Sequence, residues 1–250
     1  MFPAMMDGTA IFIGLVFALA GFVKGVIGLG LPTISMGLLV IVMPPVEAAA
    51  LLIVPSLLTN VWQMVAGPSL AAVVRRLWPM MLAVCLGTWA GAGLMTGATA
   101  RYGAAFLGIA LAVYALTGLT AVRFSILKQR EPILGPLSGG ITGLITAATG
   151  VFVIPAVPYL QAIGLEKEDL VQALGLSFTV STFALAFNVT KAGAFSLSIA
   201  GTTTGALAMA CVGMWLGTAL RQQLDPAVFR RWFFVGLLLL GIYLVVRSSV

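Results

Sequence analysis

"CLGTWAGAGL", residues 85–94, returns 126 positions later as "CVGMWLGTAL", residues 211–220. Cys, Gly, Trp, Gly and Leu recur at one offset, and chance agreement that includes both tryptophan and cysteine is improbable. The chain is therefore read as two copies of one unit. Upstream the offset is 123: "GLPTISMGLL" around Pro32 faces "FVIPAVPYL" around Pro155, Thr59 falls opposite Thr182, and Ala50 opposite Ala173. Downstream, Gly108 with its apolar run matches Gly236. The copies are placed at residues 7–122 and 133–248, joined by a linker at 123–132.

What these copies are made of sets the fold class. Of 250 residues 61% are hydrophobic and 8% charged, with a mean hydropathy of +1.14. A soluble domain carries about a quarter charged residues, so the chain is read as an integral membrane protein. The runs are apolar on every face, unlike the alternating strands of a membrane barrel. The expected fold is an all-α polytopic bundle. At about 20 residues per crossing there is room for roughly eight to ten helices and no sizeable soluble domain. Each copy divides into five segments: 9–27, 31–43, 46–66, 77–97 and 101–122, then 133–149, 151–164, 168–190, 194–219 and 227–247. Segments 31–43 and 151–164 are short for a crossing and are read as half-helices or re-entrant pieces. With no basic stretch ahead of it, 9–27 is expected to be a retained helix.

Loop charges orient the bundle. If every segment crosses, Arg75, Arg76, Arg123, Lys128, Arg130, Lys167, Arg221, Arg230 and Arg231 share one side, and Arg101, Lys191 and Arg247 the other. The positive-inside rule makes the first side cytoplasmic and both termini periplasmic. That bias explains the net charge of +6 without a nucleic-acid partner. Five crossings per copy would run the copies in opposite directions, the inverted repeat of many secondary transporters. Histidine is absent, and the two cysteines, Cys85 and Cys211, lie apart in apolar runs. No metal site, cofactor or enzymatic chemistry is expected.

Where such transporters break their helices with Gly or Pro at matching places, they bind substrate. The first copy offers "KGVIGLGLPTISMG", residues 24–37, with Gly28, Gly30, Pro32, Thr33 and Ser35. The second offers Thr146, Thr149, Gly150 and Pro155. Prolines are read as starting short helices whose free N–H groups favour an anion. Lys24, opposite Ala147 in the other copy, either neutralises that anion or snorkels to the headgroups. Asn60 and Gln63 share a helix face near Ser56 and Thr59. Ser177, Thr179, Ser181 and Thr182 occupy the matching stretch, although such hydroxyls often bond their own backbone. Glu47 is a capping charge, or the one carboxylate placed to carry a proton. Gly87/Gly91 and Gly213/Gly217 are assigned to helix packing. The candidate site is thus Lys24, Gly28, Gly30, Pro32, Thr33, Asn60, Gln63, Thr149, Gly150, Pro155, Thr179 and Thr182.

The stretches "GFVKGVIGLGLPTISM" and "PPVEAAALLIVPSLLTN", with "GLITAATGVFVIPAVPYLQAIGL" and "LVQALGLSFTVST" in the second half, resemble the sulfite exporter TauE/SafE family, also called the 4-toluene sulfonate uptake permease family. The likeness runs over essentially the whole chain; the second copy keeps only Gly150 where members commonly carry a fuller glycine run. The resemblance implies export of a small sulfur-containing anion (sulfite, thiosulfate or an organosulfonate such as sulfoacetate) across the bacterial inner membrane. Alternating access would come from rocking one copy against the other. The competing expectations are a carrier or channel for another small anion, and a membrane subunit without a pathway. The partners expected are that anion and membrane lipid.

Overall fold

The computed structural model describes residues 2–96, 102–120, 125–194 and 200–249. Among them it holds ten α-helices and no strand: α1 Phe2–Ile27, α2 Leu31–Leu39, α3 Pro45–Val65, α4 Leu70–Ala90 and α5 Gly103–Leu119, then α6 Glu131–Thr149, α7 Ala156–Ala162, α8 Lys167–Lys191, α9 Ala200–Leu220 and α10 Pro226–Ser249. Six of these (α1 from Gly8, α3, α4, α8, α9 and α10) are long and apolar enough to cross a membrane. The chain is an all-α polytopic membrane protein. Its rim carries Trp62, Trp78, Trp215 and Trp232, all well exposed, as a lipid-facing surface does.

The segment expected at 77–97 begins seven residues earlier, at Leu70. The doublet Arg75/Arg76 lies inside the first turns of α4 instead of in a loop. A hydropathy window rejects two guanidiniums, but at a helix end their stems lie along the helix while the charge reaches water. Likewise α6 starts at Glu131, within the stretch expected to be linker. Arg101 and Arg123 fall outside the described residues.

Small residues decide which helices touch. A Cβ at Gly21 would sit 2.1 Å from the Ala210 carbonyl oxygen, and one at Gly217 2.1 Å from that of Phe22, so α1 and α9 meet backbone to backbone. Gly87 and Gly143 do the same for α4 and α6, at 2.3 Å from Gly140 O and 2.3 Å from Val84 O. The two GxxxG pairs are packing devices, as read from sequence. Each glycine seam joins a helix of the first half to one of the second. The halves interlock.

The same contacts give each helix its direction. Gly21 meets Ala210 and Gly25 meets Met214, so α1 and α9 run parallel; Met80 meets Gly139 and Val84 meets Gly143, so α4 and α6 do too. Gln63 bonds Val171 while Ser56 meets Thr182, which makes α3 and α8 antiparallel. Gly108 meets Gly241 and Gly118 meets Phe234, which makes α5 and α10 antiparallel. Lys24 and Gly28 of the α1 end face Asn60 and Gln63, so α1 and α3 ascend together. With these directions Arg75, Arg76, Lys128, Lys167, Arg221, Arg230 and Arg231 gather at one end of the bundle, opposite Lys191 and Arg247.

Candidate functional site

Both interruptions expected from the sequence are present. After Ile27 the chain turns through Gly28 (φ 75°) and Gly30 (φ 109°), left-handed conformations that side chains with a Cβ resist. Gly30 then caps α2, and Pro32 occupies its first turn, where a missing N–H costs nothing. In the second half Gly150 (φ 71°) ends α6 in an αL cap. Residues 151–153 then run without helical structure to α7. Pro155 is the residue before α7, so it caps that helix from outside. Gly150 packs on α2, the helix that the first interruption starts: a Cβ on Gly150 would lie 2.7 Å from the Met36 methyl.

Broken helix leaves backbone donors without carbonyls. Among the described residues the N–H groups of Leu29 and Gly30, and of Phe152, Val153 and Ile154, find no backbone partner. All five residues are buried. In hydrocarbon an unpaired peptide group costs several kcal/mol (roughly, by transfer data), so such groups persist where a cavity or ligand meets them.

Beside the first interruption lies Lys24, 5% exposed. Its ammonium donates to Asn60 Oδ1 and, at 3.0 Å, to Thr59 Oγ1. Of the two sequence readings, snorkelling is excluded: the side chain turns into α3. Pro55 removes a backbone donor one turn earlier in α3. From there polar groups pass the bond on. Thr59 Oγ1 donates to the Pro55 carbonyl at 2.8 Å, and Asn60 Nδ2 donates to Ser56 Oγ at 2.9 Å. Ser56 Oγ lies 3.3 Å from Thr182 Oγ1, whose own proton goes to the Phe178 carbonyl at 2.6 Å. Ser56, Thr59, Asn60 and Thr182 are all buried.

The chain of bonds is satisfied at every position but one. An ammonium has three donors, and Asn60 and Thr59 take two. Among the described residues no carboxylate lies within ion-pair distance of Lys24; the ion pair present is Arg76–Glu131, at 2.7 Å. A buried cation lacking a counter-ion is costly, and an anion placed against it recovers that cost.

The other candidates fall in different places. Gln63 is a clamp: its amide donates to the Val171 carbonyl at 3.1 Å and to the Gly28 carbonyl at 3.4 Å, while its Oε1 is buried without a partner. Thr33, Thr149 and Thr179 each donate to a carbonyl three or four residues earlier. Glu47 is exposed in the first turn of α3, thirteen residues before Asn60, which is about 20 Å along the helix. It does not touch the Lys24 cluster. Sequence reading gave no weight to the hydroxyls of Ser35, Ser177 and Ser181 individually, yet all three are buried with no partner. The visible signal was their position in the two stretches facing the interruptions.

A cavity of about 640 Å³ opens at the end where the basic residues gather. Ile27 and Leu29 of the first interruption line it, as do Val157, Pro158 and Gln161 of α7. Its wall thus includes one of the residues with an unpaired backbone donor.

Among known proteins, a family profile described as sulfite exporter TauE/SafE matches residues 13–244. Neither a curated protein nor a solved structure matches the chain. The match spans nearly the whole length, and the protein belongs to the sulfite exporter TauE/SafE family, a family of membrane transporters.

Proposed function

We propose that the protein carries a small sulfur-containing anion (sulfite, thiosulfate or an organosulfonate) out of the cell by alternating access. The observation that carries this reading is Lys24: a buried ammonium, aimed by Thr59 and Asn60, without a carboxylate of its own. Around it, backbone donors at Leu29 and Gly30 offer further bonds to a head with several oxygens. A sulfonate or sulfite needs donors and positive potential but no proton from the protein, which suits a chain without histidine.

The two five-helix halves act as inverted copies, and the opposed directions of α3 and α8 and of α5 and α10 support that reading. The cavity end is cytoplasmic by the positive-inside rule, which makes this an inward-open state with both termini periplasmic. Because the halves interlock, the moving bodies contain helices of both, hinged at Gly28–Gly30 and Gly150.

Tracer counterflow tests this reading. Protein in liposomes preloaded with thiosulfate should accumulate labelled sulfite and thiosulfate, with sulfoacetate and taurine competing and acetate and succinate not. Lys24→Met should abolish accumulation at all concentrations. Preferential uptake of the carboxylates, or full activity of Lys24→Met, overturns it.

A further inference from the structure

The cavity holds a charge that the Lys24 site does not use. Arg230, at the start of α10, lines it; its side chain is exposed and among the described residues forms no ion pair and no hydrogen bond. Across the space α5 contributes Tyr114, 2% exposed, whose hydroxyl has no partner. Gln161 on α7 completes a ring of donors from three helices. Among the described residues no carboxylate lines the cavity. Arg231, its neighbour in sequence, is not part of the wall. The sequence reading grouped both arginines as topology markers, but a topology marker needs only to reach water and headgroups.

We infer that this cavity is a second anion site, in which Arg230, Tyr114 and Gln161 capture the substrate before it moves to Lys24. Arg230 presents a planar fork suited to two oxygens of a sulfur oxyanion. Arg230 is itself exposed, and with no acid among the described residues of the wall its charge draws anions toward the recess ahead of the inner site. The recess reaches Leu29, whose backbone donor belongs to the interruption beside Lys24, and we take the two sites as consecutive. The inference rests on the transport reading above, extends it to two stations, and assigns Arg230 the outer one.

Equilibrium binding of labelled thiosulfate to the purified full-length protein separates the stations. Wild type should show a tight and a weaker class of site. Lys24→Met should keep only the weaker class, and Arg230→Gln only the tight one, with Arg231→Gln unchanged. In liposomes Arg230→Gln should raise the KM for entry from the cavity side about tenfold at unchanged maximal rate. Arg230→Lys should restore part of the loss, and Tyr114→Phe should raise KM two- to threefold.

Absence of the weaker class in Lys24→Met overturns the second site while leaving the inner one standing. Absence of the tight class in wild type overturns the Lys24 reading while the weaker class is still scored. Equal effects of Arg230→Gln and Arg231→Gln, or a KM change seen only in anionic lipid, would show that Arg230 binds headgroups and not substrate.

Discussion

Ser56 Oγ stands 3.3 Å from Thr182 Oγ1, although the two residues are 126 positions apart in sequence. The bond joins α3 to α8 in mid-helix and continues to Lys24 through Asn60. Thr182 is the counterpart of Thr59, one turn along α3 from Ser56, so the two halves meet within a turn of matched positions, and the charged cluster is anchored on that seam.

Placing an acid at Asn60 tests whether the free charge of Lys24 is what recruits the anion. Asn60→Asp supplies a carboxylate already within bonding distance of the ammonium. Thermal unfolding in detergent should show a protein as stable as wild type or more so, since a buried pair replaces an isolated charge. Anion counterflow should nevertheless fall to background. A stable Asn60→Asp protein with normal transport would remove Lys24 from the pathway.

Two glycines of α6 make a matched pair for the packing argument. A Cβ at Gly143 meets the Val84 carbonyl oxygen at 2.3 Å, whereas one at Gly140 meets nothing within 4 Å. Overpacking of this kind costs about 1–3 kcal/mol. Gly143→Ala should lower the unfolding midpoint by several degrees. Gly140→Ala should leave it unchanged or raise it slightly, because alanine is the better helix former.

Gly150 can be tested against its neighbour. An alanine there bears the left-handed φ of 71° and presses on Met36, while one at Gly28 bears a similar φ of 75° in open space. The conformational part is about 1–2 kcal/mol for each. The expected order of transport loss is Gly150→Leu, then Gly150→Ala, then Gly28→Ala. Met36→Ala should relieve part of the Gly150→Ala defect and none of the Gly28→Ala defect. Equal losses in all backgrounds would show that Met36 does not couple the interruptions.

Arg76 ties three elements at the cavity end. It pairs with Glu131 of α6 through two bonds, at 2.9 and 2.7 Å, and donates to the Ile163 carbonyl beyond α7. Both side chains are partly open, 29% and 14% exposed, so the pair is worth about 1 kcal/mol or less. Glu131→Gln should cost stability in that range, and high salt should narrow the gap to wild type. Arg76→Met should cost more, because it also strips the Ile163 carbonyl of its donor.

The helical, membrane-spanning plan is legible in composition, because hydropathy is a property of a single string. Interruptions at Gly28–Gly30 and Gly150 are legible for a related reason: glycine at positive φ and proline in a first turn are local requirements. Lys24 is different. Whether it turns to lipid or to Asn60 depends on the angular phase of α1 against α3, and that phase is set by Gly21 and Gly25 seating on α9. Gln63 and Asn60 look equivalent on a helical wheel, yet Gln63 points at the Gly28 carbonyl and spends its amide there. Thr149 and Thr179 look like lining, but each bonds the carbonyl four residues earlier. The direction of α2 and α7, and hence the cavity that includes Arg230, follows from tertiary packing and has no one-dimensional signature.

The seam between α1 and α9 has a consequence for biosynthesis. The ribosome makes Gly21 roughly 190 residues before Ala210, which at 5–20 residues per second leaves the first helix unmated for roughly 10–40 s. During that interval its glycine stripe stands open to lipid, whereas Lys24 meets Thr59 and Asn60 in a helix made only 35 and 36 residues later. For a chain assembled this way, yield should depend on elongation speed more than on the strength of the finished contacts.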